Sequence, residues 1–171
     1  MSTLRDHSIE IGRPVQVIGI LDGDGGLAPL GPTPAGSPVP FAMRTRLHLP
    51  GVSAVGGPFL VRGVWDGVTI SAASTAPVPG AGWLGTEQVQ PGRGGETPGT
   101  WSDEDCERAS AAVPEEHLIG IGRRSDPRGR PVVIAEFVLA SARAIAWQES
   151  CPPGVVDAVA WIRPVQEPPG P

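Results

Sequence analysis

The chain has 171 residues, a formal net charge of −5 and 40% hydrophobic residues, enough for one domain with a sizeable core. The acidic balance argues against general binding to nucleic acid or to anionic membranes, and leaves room only for a local basic patch. All 13 basic residues are Arg, and Lys, Asn and Tyr are absent, the mark of a high-GC bacterial genome rather than of design for anion recognition. No apolar window is long enough for a transmembrane helix, and MSTLRDHSIEIGRP carries no apolar signal core, so the expected compartment is the cytoplasm. Two cysteines there are expected to stay reduced.

Gly (24) and Pro (21) make up about a quarter of the chain and concentrate in loops between well-patterned segments. The expected fold is therefore mainly β: an antiparallel barrel or sandwich of about 6–8 strands over residues 1–165, with one short helix and a disordered tail at 166–171.

Residues 1–13 are polar and read as frayed, or as a short edge strand near Ile9 to Ile11. Val15 to Leu21 reads as a strand. It stops at Asp22-Gly23-Asp24-Gly25-Gly26, which begins like a calcium loop but lacks the later oxygen ligands, so no metal is expected. Residues 22–40 read as a Pro-rich loop. From Phe41 to Leu49 the alternation places Phe41, Met43, Thr45, Leu47 and Leu49 on one face and Arg44, Arg46 and His48 on the other. Arg44 and Arg46 are candidate anion ligands. Two apolar runs flank Asp66-Gly67, a strong hairpin signal; a two-residue loop would set Trp65 opposite Val68 and Arg62 opposite Ser71.

Residues 74–101 read as a second long loop. Within it, Gly80-Ala81-Gly82-Trp83-Leu84-Gly85 matches the dinucleotide fingerprint in letters only: Pro77 and Pro79 precede it, and no strand leads in, so no cofactor is expected. Ser102 and Asp105 form a capping box for a helix near 102–113 that stops before Pro114. The acidic residues around Cys106 raise a thiol's pKa, which argues against a nucleophile.

The most informative stretch is His117 to Leu139. Asp126-Pro127-Arg128-Gly129 suits a type I turn closed by a left-handed Gly129, with Asp126 facing Arg130. Counting back, Arg124 faces Val132, Gly122 faces Ile134, Gly120 faces Glu136 and Leu118 faces Val138. His117, Ile119, Ile121, Ala135, Phe137 and Leu139 fall on the other face, and the hairpin is expected to be covered on both sides. Glu136 stands between Ile134 and Val138, opposite two glycines that leave open volume. A carboxylate so placed should have a raised pKa unless Arg124 reaches it. Glu136 is the candidate catalytic or binding residue, and Arg124, Arg128 and Arg130 join Arg44 and Arg46 as candidate ligand or anion contacts. In residues 141–149 the Ala content favours a helix, and continuity with the preceding strand favours a turn and another strand; Arg143 to Gln148 is read as a strand. Cys151 to Gly154 reads as a turn, and Val156 to Val165 as the last strand, with Trp161 inward. The expected core holds Phe41, Met43, Leu47, Val61, Ile119, Ile121, Phe137, Leu139 and Trp161.

No nucleophile elbow, P-loop or spaced His/Cys set occurs. Three functions fit. The first is a binding or accessory module that presents the loops 22–40 and 74–101 to a protein partner. The second is a small ligand-binding barrel or enzyme with Glu136 in a pocket. The third is a nucleic-acid binder using Arg44, Arg46, Arg62 and the Arg123 to Arg130 turn, which the acidic total and the lack of stacking aromatics disfavour.

Overall fold

The computed structural model describes residues 3–22, 25–29, 47–51, 56–78 and 100–165. Within them the chain is mainly β. The strands are β1 Pro14–Leu21, β2 Gly26–Pro29, β3 Leu47–His48, β4 Gly56–Trp65, β5 Ile70–Pro77, β6 Leu118–Ser125, β7 Pro131–Phe137, β8 Val156–Ala160 and β9 Arg163–Pro164. The helices are α1 Asp103–Ala111 and α2 Ala142–Ser150. A curled antiparallel sheet runs β3-β2-β1-β4-β5, with β9 also paired to β1, and a second sheet runs β6-β7-β8.

Alternating apolar residues give the curled sheet an inner face. Val15, Val17, Leu21, Leu27, Val61, Trp65 and Ile70 are buried there together with Val138 and Ile162 from the second sheet's end. The curl brings β4 and β5 so close that a Cβ at Gly63 would collide with the Ser71 carbonyl and the Ile70 side chain. A second core lies between the three-stranded sheet and the helices. Val133, Ala135, Phe137, Val156, Ala158 and Ala160 meet Cys106, Ala109, Ala144 and Trp147, and the Phe137 and Trp147 rings pack edge to face at 6.0 Å.

Several expectations need correction. Residues 142–150 are helix α2, not a strand. Ser141 caps it, its Oγ accepting the Ala144 N–H at 3.2 Å. The helix carries the chain between β7 and β8, which are parallel, and a parallel pair requires such a crossover. The last segment is two strands rather than one, because after β8 the chain passes through Trp161 and Ile162 into the other sheet. The 22–40 stretch contains β2, paired back on β1, and β5 extends to Pro77 inside the expected 74–101 loop. The first described segment is anchored at Leu4 rather than frayed: Leu4 is fully buried, and its N–H donates to Gln148 Oε1 at 2.8 Å. Asp66 accepts the Val68 and Thr69 N–H groups and the Thr69 hydroxyl, which widens the turn. Trp65 therefore faces Ile70, and a further register shift between Gly63 and Arg62 sets Arg62 opposite Ser74.

Helix α1 has the expected cap: the Asp105 N–H donates to Ser102 Oγ at 3.2 Å, and the Ser102 N–H donates to Asp105 Oδ2 at 2.8 Å. Val61, Phe137 and Trp161 are buried as expected, and Ile119 and Leu139 pack against the inner core. Ile121 is 44% exposed, because β6 is an edge strand; the hairpin is thus not covered on both sides, and the strand buried on both faces is β8, while β7 keeps Ile134 and Glu136 half-buried. Phe41, Met43, Arg44, Arg46, the side chain of Leu47, the Gly80 to Gly85 stretch and residues 166–171 lie outside the described residues.

Candidate functional site

The β6–β7 hairpin is built by its turn. Gly129 is left-handed at φ 77°, and Asp126 accepts the N–H groups of Arg128 and Arg130, both at 2.8 Å. The register that follows sets Arg124 opposite Val132, Gly122 opposite Ile134 and Gly120 opposite Glu136, as the sequence implies. It then slips at Ile119, so Leu118 pairs with Phe137 rather than Val138. The irregularity adjoins the glycine-rich part of the strand, where bulges tend to form.

This register sorts the sheet into two faces. One meets the helices and carries Arg123, whose guanidinium donates to Glu107 Oε1 of α1 at 2.8 Å. The other carries Gly120, Gly122 and Arg124 from β6, Val132, Ile134 and Glu136 from β7, and Asp157 and Val159 from β8. Toward β8 this second face is closed: Val159 is 1% and Asp157 8% exposed. Toward β6 it is open, since among the described residues no atom lies within 4 Å of where a Cβ would stand at Gly120 or Gly122. Glu136 sits at the boundary between the closed and open parts.

Two carboxylates share the face. Arg124 does not reach Glu136. It donates to Asp157 Oδ2 at 2.7 Å, and the two side chains are 30% and 11% exposed. Burial pushes the Asp157 carboxyl above its ordinary value, and the Arg124 charge and hydrogen bond offset this in part. Glu136 has no cation. Burial pushes its carboxyl up as well, and the one group that favours its charged form is the indole N–H of Trp161. That N–H is buried and makes no hydrogen bond of good geometry, so it lies near the carboxylate without a settled partner. A half-buried, cation-free carboxyl beside an unsatisfied donor can take a ligand that supplies a donor to one and an acceptor to the other.

The Arg130 guanidinium lies 3.8 Å from the centre of the Trp101 ring and 2.7 Å from Asp126 Oδ2, with the Trp101 indole donating to the Pro131 carbonyl at 2.6 Å. These contacts fasten the turn to the segment before α1. Arg128 is exposed at the tip of the turn. Arg123, Arg124 and Arg130 thus leave the hairpin in three directions, each onto a carboxylate. Cys106 and Cys151 are free thiols, and burial is the first cause that pushes both up, ahead of the acidic neighbours of Cys106. Asp22 holds the β1–β2 turn by accepting the Gly26 N–H at 2.6 Å. Asp157 and Trp161 were not singled out as site residues by sequence reasoning. The visible signal was a single Asp within the apolar run Val155 to Ile162, where a charge implies a partner. Comparison with known proteins finds no family model, no curated protein and no solved structure that matches this chain.

Proposed function

We propose that the chain is a ligand-binding module whose recognition groups are the Glu136 carboxyl and the Trp161 indole N–H. The observation that carries this reading is the contrast on one sheet face: Asp157 has Arg124 at 2.7 Å, and Glu136 has no cation beside open volume over Gly120 and Gly122. The fitting ligand is small, with an apolar body to lie against Ile134 over the two glycines. It carries an amine or amidine to complete Glu136, because a desolvated carboxylate gains most from a cationic donor. Binding is favoured over turnover because no second titratable group acts on Glu136.

The test is a screen of small amines and amidines read from the Trp161 indole 15N–1H resonance. Ligands that shift this resonance in the native protein should bind Glu136→Gln at least about tenfold more weakly, the loss of one charge-assisted contact. Ligands that bind the Gln variant equally well, or that leave Trp161 unmoved, contradict the assignment. A second reading, a module for a protein partner, is supported by the edge strand β6 with its exposed Ile121, since such an edge can accept an added strand.

A further inference from the structure

Most arginines among the described residues end on a carboxylate: Arg5, Arg13, Arg108, Arg123, Arg124 and Arg130 all do. Arg163 does not. It is half-buried on β9, its Nε donates to the Ala160 carbonyl at 3.0 Å, and no acid meets its terminal amino groups. Burial alone acts on its guanidinium and lowers its pKa to about 10. A charge held out of water without a counter-ion is costly, and it is retained where something else completes it.

The register shows what stands beside it. Arg163 is opposite Gln16 on β1, and Gln16 is opposite Arg62 on β4. Residues directly opposite on antiparallel strands share a face. Arg163, Gln16 and Arg62 therefore form one row across three strands, with the two arginine Cα atoms about 10 Å apart at the usual strand spacing. Arg62 is exposed and, among the described residues, likewise meets no acid. The row has two guanidinium groups, an amide between them and no acid. Beyond it, opposite Arg62, is Ser74, a further hydroxyl donor. An open cleft lined by Ser8, Ile9, Glu10, Arg13, Pro14, Pro164 and Val165 begins at the residue after Arg163; its one acid, Glu10, is paired with Arg13 at 3.4 Å, and the cleft gives room for the rest of a ligand.

We propose that Arg163, Gln16 and Arg62 bind the phosphate group of a small ligand. A tetrahedral dianion accepts from more donors than a carboxylate can, and two forked guanidinium groups with an amide between them supply more donors than two oxygens can use. The site lies on the curled sheet and is independent of Glu136.

The probe is inorganic phosphate, added at constant ionic strength to 15N-labelled protein. Binding is read from the arginine Nε–H resonances and from thermal unfolding. Saturable shifts at Arg163 and Arg62 are expected, with acetate much weaker. Arg163→Gln and Arg62→Gln should each weaken phosphate about tenfold or more. Arg163→Gln should also leave the phosphate-free unfolding temperature unchanged or raised, because it removes an uncompensated charge. Where that variant fails to fold, Arg62→Gln, at an exposed position, decides the matter alone. No saturable shift at either arginine, unchanged phosphate affinity in Arg62→Gln, or acetate binding as tight as phosphate would each overturn the proposal.

Discussion

Asp157 and Glu136 stand on neighbouring strands of one sheet face, and burial raises the pKa of both. One has a guanidinium at 2.7 Å; the other has only an indole N–H that makes no well-formed hydrogen bond. A buried carboxylate with its cation belongs to the scaffold. Breaking it leaves the surviving charge uncompensated. A buried carboxylate without a cation is a cost the fold carries and a ligand can relieve. The difference therefore separates structural from available acids without reference to any catalytic motif.

The largest effect should come from breaking the scaffold side. Arg124→Ala leaves Asp157 buried and alone and should cost about 3–5 kcal/mol in chemical denaturation. A loss under about 1 kcal/mol would mean that water serves Asp157, and the contrast with Glu136 would lapse. Phe137→Ala should cost a similar amount, about 3–5 kcal/mol, because the side chain is fully buried in the strand that carries Glu136.

Next in size is a pH effect that sets the window for the comparison. Burial holds the His7 imidazole neutral, and the nearby Arg163 charge adds to this, which lowers its pKa from 6.5 to about 4. The unfolded chain then takes up the proton first as pH falls. Stability is full above pH 6.5 and is lost down to about 4, on the order of 3 kcal/mol in total. His7→Gln should flatten that acid limb. Carboxylate variants are best compared above it.

The smallest stability effect belongs to Glu136→Gln. A raised carboxyl pKa means that the folded state prefers the proton. Its stabilising contribution is complete below the unfolded value and is lost as pH rises through the folded one. Near neutral pH the Gln variant should therefore be as stable as the native protein or slightly more so, while ligand binding is lost. A clear loss of stability would place Glu136 with Asp157 among the structural acids.

The contrast between the two hairpins shows how much was legible in sequence. Asp126-Pro127-Arg128-Gly129 fixes its turn through a constrained φ and a left-handed glycine, so the partners from Arg124–Val132 to Gly120–Glu136 follow by counting. Counting fails at Ile119, where the strand slips and no residue announces it. At Asp66 the aspartate side chain captures Val68 and Thr69 and enlarges the loop, so the tight-turn register was wrong from its first pair. Helix α2 was hidden for another reason. Its Ala content signalled helix, but continuity with the preceding strand outweighed it. Only the parallel pairing of β7 with β8 requires a crossover there. Glu136 was recognisable from its apolar neighbours and facing glycines. The destination of Arg124 was not, because Asp157 arrives from a strand 33 residues away that joins the sheet only after that crossover.

A carbonyl-detected NMR titration of Glu136 and Asp157 in the native protein and in Arg124→Ala separates the two carboxylates most directly. The Glu136 carboxyl should titrate above the ordinary glutamate value and stay in place when Arg124 is removed, while Asp157 rises further. A Glu136 carboxyl that titrates at or below its ordinary value, or that moves with Asp157 in the variant, would show that Arg124 serves both acids and that neither is available to a ligand.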